Sequence, residues 1–200
     1  MSLFPDRLET ERLELEALTT ERLDPMTLYE YCGSHVEGIE DVTRYLTWEP
    51  HDSPKVSRDF IELTTEDREA GERSAYVVRP KQGEDRAGEF AGLAGIGVDW
   101  ERRMGTLGMW LRKPFWGRGY SGERASAFMQ VAFERLDLDV VAVECDADNE
   151  KSRRAIEKYV EVHGGQQEGT LRNWTDHGDG PATTHRYSVT REEYRRATGE

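Results

Sequence analysis

Residues 108–125 read GMWLRKPFWGRGYSGERA, and this stretch decides the fold. It carries the spacing G-x-G-x-x-G, which begins at Gly117. The motif lies between an apolar segment and a segment in which apolar residues recur every three or four positions. The pattern predicts a strand over Thr106–Arg112 and a helix over Gly119–Leu136, joined by a glycine-rich loop. Small residues and free N–H groups at a helix start favour a pyrophosphate ligand. With 19 glycines in the chain, the same spacing also arises in a helix-entry turn that binds nothing.

The segments on either side predict a mixed sheet with helices packed on it. Upstream, strands are expected over Leu8–Leu18, Ser74–Arg79 and Glu89–Trp100. Between the first two of these strands, helices are expected over Pro25–Cys32 and Lys55–Ala70, with a short helix over Glu37–Tyr45. Downstream, strand, helix, strand and strand are expected over Leu138–Cys145, Asn149–Tyr159, Val162–Trp174 and Thr183–Thr190. Three strands with short turns before the glycine loop form an antiparallel meander, and the order after it alternates strand and helix. In the longest upstream helix, Phe60, Ile61 and Leu63 are expected on the inner face.

Two kinds of nucleotide ligand compete for the glycine loop. A dinucleotide-binding fold places its first glycine directly after a strand, with an acidic residue about twenty positions further on. Glu144 lies near that distance, but residues 113–116 separate strand from glycines. The antiparallel meander before the loop also disagrees with a fold built from parallel strands. The residues therefore disfavour NAD and leave coenzyme A as the other candidate.

A second motif begins 26 residues beyond the last glycine of the first, where residues 148–158 read DNEKSRRAIEK. Together the two stretches resemble the GNAT acyltransferases, and are closest to the branch similar to the ribosomal-protein alanine N-acetyltransferases RimJ and RimL. With Arg12-Leu13 near the start, the resemblance covers roughly Leu8 to Tyr187. It implies one acyltransferase domain over residues 1–200, with an α/β (α+β) fold. The expected sheet is mixed and mostly antiparallel, with a splayed parallel strand pair and flanking helices.

The resemblance implies a cofactor site for acetyl-CoA. Backbone groups of the loop would hold its pyrophosphate, from Trp116, Gly117, Arg118, Gly119, Tyr120, Ser121 and Gly122, with Arg118 as a mobile cation nearby. The strand that splays from Val141–Cys145 would lie along the pantetheine with Met109, Trp110 and Leu111. Ordinary core packing remains an alternative for Met109 and Trp110.

The resemblance also implies roles for two residues of the second motif. Asn149 would bond the cofactor arm, and Ser152 would protonate the departing sulfur as general acid. Two structural alternatives stay open, because Asn149 or Asp148 could cap a helix and Ser152 could be an inert hydroxyl.

An amine attacks a thioester only when it is neutral, so a carboxylate acting through water is expected as general base. In the similar enzymes that carboxylate follows a position equivalent to Glu168-Gly169. The matching place is about Thr175, beside Asp176 and His177, so Asp176 is the first choice and Glu144 the second. A backbone N–H near Met109–Leu111 would hold the oxyanion.

The implied reaction is direct acetyl transfer from acetyl-CoA to a primary amine, without a covalent enzyme intermediate. The leading acceptor is the N-terminal α-amine of a protein. A small-molecule amine, such as an antibiotic or metabolite, is the alternative acceptor, and a non-catalytic acyl-CoA-binding sensor is the alternative function.

The composition narrows the partners and the compartment. Asp and Glu outnumber Lys and Arg by 40 to 27, which gives a net charge of −13 and a pI near 4.9. Such a charge disfavours nucleic acid and suits either a cationic acceptor or a high-salt cytoplasm, as in a halophile. Two cysteines, five histidines without ligand spacing and no long apolar run predict a cytoplasmic protein with no metal and no membrane span. Both a monomer and a homodimer stay open, because the residues do not indicate an oligomeric state.

Overall fold

The computed structural model describes residues 2–176 and 180–199. Within these residues eight strands form one sheet in the order β1-β2-β3-β4-β5-β6-β8-β7. The strands are β1 (Arg7–Glu9), β2 (Leu13–Ala17), β3 (Arg73–Pro80), β4 (Gly92–Asp99), β5 (Met104–Leu111), β6 (Val140–Asp146), β7 (Gln166–Asp176) and β8 (Pro181–Thr190). The sheet is mostly antiparallel, and β5 with β6 is its parallel pair. The expected mixed sheet is therefore confirmed.

Six α-helices accompany the strands in the described part of the chain. They are α1 (Pro25–Cys32), α2 (Ile39–Thr43), α3 (Pro54–Ala70), α4 (Tyr120–Gln130), α5 (Glu150–Val162) and α6 (Arg191–Thr198). A 3₁₀ turn spans Lys113–Phe115, and a π-helical turn over Val131–Arg135 continues α4. Local chemistry fixes several ends. Asp24 Oδ1 accepts from the N–H groups of Met26 and Thr27 ahead of α1.

The described chain divides into two compact units. The first holds Met1–Gly95 and Met109–Arg118, and the second holds Ile96–Gly108 and Gly119–Glu200. The first unit is built on a cluster of buried side chains from α1, α3, β3 and the neighbouring loops: Leu18, Leu23, Leu28, Cys32, Ile61, Val77, Phe90 and Leu93. The second unit buries side chains from α4, β6, α5 and β8: Ala125, Phe128, Met129, Val141, Ala142, Ile156, Tyr187 and Val189.

The parallel pair is short. Its register runs from Met104 opposite Val140 to Leu107 opposite Val143, and stops there. Beyond that point β6 continues to Asp146 along β8, where Asp146 lies opposite Thr184. Residues 108–111 of β5 therefore have no register partner on β6.

Three local predictions were wrong. The segment Leu8–Leu18 is a hairpin of two strands, because the chain reverses between Thr10 and Leu13. Leu63 is 52% exposed on α3, whereas Ile61 is fully buried, so the inner face of that helix excludes Leu63. Residue Val162 ends α5 and does not begin a strand.

None of the helices in the described residues is both long and apolar enough to cross a membrane.

Candidate functional site

The glycine loop has the backbone of an anion-binding turn. Gly117 has φ +74° and Gly119 has φ +81°, both in the left-handed region, with Arg118 between them. Gly119 is the N-cap of α4 and no side chain caps the first N–H groups of that helix. Those N–H groups have no intrahelical acceptor, and alternating handedness turns successive amides toward one side. A side chain added at Gly117 would meet nothing within 4 Å, so the loop surface is open there.

Side chains fix the loop from below. Phe115 is buried, and Trp116 Nε1 donates to the carbonyl oxygen of Leu111 at 2.7 Å. Arg12 Nη1 donates to the carbonyl oxygen of Arg118 at 2.9 Å. Arg118 was expected to be a mobile cation, but its guanidinium bonds Asp85 at 2.6 Å. The Arg118 cation is therefore paired with a carboxylate. Arg12, to which the sequence analysis assigned no role, holds the loop backbone through the Arg118 carbonyl oxygen.

The end of β5 belongs to an aromatic cluster of the first unit. The Trp110 ring lies 5.3 Å from that of Trp48 and 5.8 Å, edge on, from that of Phe90. Tyr31 packs on Phe90 at 5.5 Å. Trp110 is partly buried, so the alternative of core packing describes its ring. Any contact that it makes with a cofactor would involve its remaining exposed edge or its backbone.

The N-terminus of α5 brings two predicted residues together. Asn149 is the N-cap, and its Oδ1 accepts from the N–H of Ser152 at 3.1 Å. Asn149 therefore does cap the helix, while Asp146, rather than Asp148, supports the preceding turn by accepting from the Asp148 N–H at 2.7 Å. The Ser152 side chain is partly exposed, and its hydroxyl has no partner among the described residues. It is thus available to a ligand at the positive end of a helix.

Glu144 lies in a charged cluster at the end of β6. Arg186, directly opposite on β8, donates to Glu144 Oε1 at 2.8 Å and to Glu168 at 2.7 Å. Trp174 Nε1 donates to the other oxygen, Oε2, at 3.0 Å. Both oxygens of this second-choice base already accept hydrogen bonds. Asn173, with φ +52°, lies in the irregular part of β7 that precedes Trp174.

Asp176 closes the hairpin of β7 and β8. Its Oδ1 accepts from the Gly180 N–H at 3.3 Å, and it lies opposite Pro181. Thr184 is the last β8 residue opposite β6, so Asp176 stands about 10 Å along the strands from the end of β6. Nothing in the described residues bonds Asp176 to Ser152 or Glu144. His177, named beside it, lies outside the described residues.

Sequence patterns missed Trp174 and Arg186, which hold Glu144. A lone arginine within the apolar and hydroxyl-rich strand Thr183–Thr190 was the available signal, but its partner depends on strand register. The two cysteines are also informative, because burial raises the pKa of Cys32 to about 12 and that of Cys145 to about 11. Both thiols remain protonated near neutral pH. Among the described residues no cluster of His, Cys, Asp or Glu could hold a metal ion.

Comparisons with known proteins identify a family for the chain. The model of the acetyltransferase (GNAT) domain matches residues 12–159. An uncharacterized N-acetyltransferase, p20 of Bacillus licheniformis, is 23% identical over 194 residues, which cover 96% of this chain and 98% of that protein.

Two solved structures share the fold. The microcin self-immunity acetyltransferase MccE, in complex with acetyl-CoA and AMP, is 18% identical with a TM-score of 0.78, covering 94% of this chain and 98% of that one. RimL, a ribosomal α-N-protein acetyltransferase in complex with coenzyme A, is 17% identical with a TM-score of 0.77, covering 92% and 97%. Because the family model spans well over half of its residues, the chain belongs to the GNAT acetyltransferase family.

Proposed function

We propose that this protein transfers the acetyl group of acetyl-CoA to a primary amine, with the N-terminal α-amine of a protein as the leading acceptor. The observation that carries the proposal is the left-handed pair Gly117 and Gly119 at the start of α4. A helix N-terminus preceded by such a turn presents several amides and a positive dipole end to one anion. The pyrophosphate of coenzyme A is an anion of that kind. The solved MccE and RimL complexes support the same ligand by analogy of fold.

The loop residues fit a pyrophosphate by backbone more than by side chain. Gly117 and Gly119 lack the Cβ atoms that would crowd an approaching phosphate, and Ser121 and Gly122 are small. Arg118 is already paired with Asp85. We therefore assign the binding to N–H groups of residues 117–122, with Trp116 and Arg12 holding their positions.

Ser152 is the proposed general acid. Its backbone N–H is used by the Asn149 cap, which fixes the first turn of α5 and leaves the hydroxyl to donate. The positive end of the helix dipole would also stabilise negative charge that develops on a departing sulfur. Asn149 Nδ2 has no partner among the described residues and would donate to the cofactor arm. One side chain would thus serve as cap and ligand together.

Asp176 remains the proposed general base, acting through water, with Glu144 as the second choice. Glu144 is bonded by Arg186 and Trp174, which suits an electrostatic or positioning role. An α-amine with a pKa near 7.7–8.0 is partly neutral at physiological pH and needs little help, whereas a lysine side chain needs more. The high pKa values of both cysteines support direct transfer, because neither thiol is poised as a nucleophile.

A small-molecule amine is the second candidate acceptor. The partly buried aromatic cluster of Tyr31, Trp48, Phe90 and Trp110 favours it, since such rings stack on planar or apolar groups. MccE, which shares the fold, was solved with AMP as well as acetyl-CoA. A planar acceptor would therefore be a reasonable member of a screening panel.

The test combines binding and turnover. Calorimetry with acetyl-CoA, with NAD as the negative control, measures affinity, and release of free thiol in the presence of peptide or small-molecule amines measures transfer. We expect Ser152→Ala to keep the Kd for acetyl-CoA and to lower kcat about 100-fold. The matched control is Ser126→Ala, which removes an exposed hydroxyl on α4 and should keep both the Kd for acetyl-CoA and kcat.

Two results would contradict the proposed function, and a third would contradict only the role of Ser152. Absence of acetyl-CoA binding would refute the assignment of acetyl-CoA as the cofactor. Binding without transfer to any amine would favour an acyl-CoA sensor. Full turnover in Ser152→Ala would leave the enzyme assignment intact and remove the serine from its role.

A further inference from the structure

Two arginines are almost fully buried in the described residues, and they differ in their partners. Arg68, 8% exposed, donates to the carbonyl oxygens of Phe4 and Pro5 and to Asp6 Oδ1 at 2.9–3.0 Å. Arg124, 2% exposed, has no partner for its Nε and Nη1 groups. Nor does any described carboxylate form a salt bridge with Arg124. Native proteins rarely leave buried donors unpaired, so Arg124 needs an explanation.

A second buried polar group lies beside Arg124. Tyr159 on α5 is 4% exposed, and its hydroxyl also lacks a partner. The two helices approach closely here, because a Cβ atom added at Gly122 would lie 3.6 Å from Tyr159 Cβ. Burial raises the pKa of Tyr159 to about 12 and lowers the pKa of Arg124, while the attraction between the two groups opposes both shifts. Arginine nevertheless stays protonated in proteins. At neutral pH the pair therefore presents N–H and O–H donors and one uncompensated positive charge.

This donor set points away from the glycine loop. The Arg124 guanidinium carbon lies 5.6 Å from the centre of the Phe128 ring, one helical turn toward the C-terminal end of α4. The loop precedes the N-terminal end of the same helix. The ring contributes a cation–π contact, which stabilises the charge without accepting its in-plane N–H groups. The guanidinium is thus displaced from the proposed pyrophosphate site toward Phe128, although Tyr159 packs against Gly122, the last residue of the loop.

We propose that Arg124 and Tyr159 bind a small monovalent anion, for which chloride is the probe, between α4 and α5. Two guanidinium N–H groups and one phenolic O–H would donate to it, and its charge would neutralise the buried cation. A water molecule would satisfy the donors but leave the charge, which is the larger cost of burial. The enclosure of both side chains favours an ion of one or a few atoms over a phosphate ester. Anion binding would then stabilise the packing of α4 on α5.

The test compares thermal unfolding in potassium chloride and in potassium gluconate at equal ionic strength. Both salts screen the net charge of −13 equally, but gluconate is too large for an enclosed site. We expect chloride to raise Tm saturably, by roughly 5 °C at high occupancy. Arg124→Met should lose this chloride-specific rise, and Tyr159→Phe should need a higher chloride concentration to reach it. Arg196→Met, whose side chain is 72% exposed, is the matched control and should respond like the wild type.

A crystal soaked in bromide gives a direct readout even if Arg124→Met does not fold. An anomalous peak within hydrogen-bonding distance of Arg124 Nε and Nη1 is expected. Equal Tm values in the two wild-type salts, or no such peak at saturating bromide, would overturn the proposal. So would an undiminished chloride response in folded Arg124→Met. None of these measurements depends on acetyl transfer, so the anion site and the proposed function stand or fall separately.

Discussion

Gly117→Ala tests whether the left-handed loop is the binding element. A Cβ atom at Gly117 meets nothing within 4 Å, so the substitution introduces no clash. Its cost is the backbone conformation itself, because φ is +74° and an L-residue in that region costs about 1–2 kcal/mol. Gly117 is exposed, so the unliganded loop can relax to another conformation. The penalty then falls on binding, where each 1.4 kcal/mol is tenfold in Kd.

Isothermal titration with acetyl-CoA should therefore show a Kd about 5- to 30-fold weaker for Gly117→Ala. Gly117→Asn should lie between the two, because asparagine enters the left-handed region more readily. The matched control is Gly199→Ala, where φ is +79° and a Cβ atom likewise meets nothing within 4 Å. It bears the same kind of strain at the end of α6 and should bind acetyl-CoA like the wild type. Wild-type affinity in Gly117→Ala would refute the assignment of the loop.

Three further outcomes follow from the pairing of buried and charged groups. Arg68→Met should lower the free energy of unfolding by about 1–3 kcal/mol in denaturant titration, since it leaves the carbonyl oxygens of Phe4 and Pro5 without their donor. An unchanged free energy of unfolding would contradict this. Burial lowers the pKa of His51 from its ordinary 6.5, so the unfolded chain takes up a proton first and stability should fall as pH drops below about 6.5. His51→Gln should flatten that slope, and an unchanged slope would assign it to other groups. Asp85→Asn removes a carboxylate partner of the Arg118 guanidinium and should tighten acetyl-CoA binding up to about 5-fold at low salt, with a steeper dependence on potassium chloride. Unchanged affinity at every salt concentration would mean that Arg118 does not reach the ligand.

Local chemistry made the start of one helix predictable, whereas a strand turn and the last helix were missed for different reasons. Asp24-Pro25 carried both a cap and a favoured first residue, and α1 begins there. The hairpin turn before Leu13 has no glycine, proline or asparagine, so the alternation of polar and apolar residues seemed to continue through it. Helix α6 buries only Tyr194, which leaves no apolar periodicity. Its capping box of Thr190 and Glu193 was nevertheless readable.

The candidate site divides in the same way. The turn of Gly117 and Gly119 and the cap of Asn149 depend on residues close in sequence, so motif spacing located them. The bonds of Glu144 with Arg186 and Trp174 span 42 and 30 residues and require the register of β6, β8 and β7. A shift of one residue would turn Arg186 to the other face of the sheet. No spacing rule could supply that contact.

The charges around the glycine loop explain how so acidic a chain could hold a polyanion. Arg118 is bound to Asp85 and Lys113 is bound to Asp41, so carboxylates neutralise these two cations, while Arg12 donates to the carbonyl oxygen of Arg118. What remains for a phosphate is a set of backbone N–H groups, which carry no net charge and cannot be titrated. Salt screens such short-range dipolar contacts much less than it screens exposed charges. A loop of this kind would keep its ligand in concentrated salt, where the net charge of −13 is also best tolerated. Surface composition and loop geometry are therefore both features that tolerate concentrated salt.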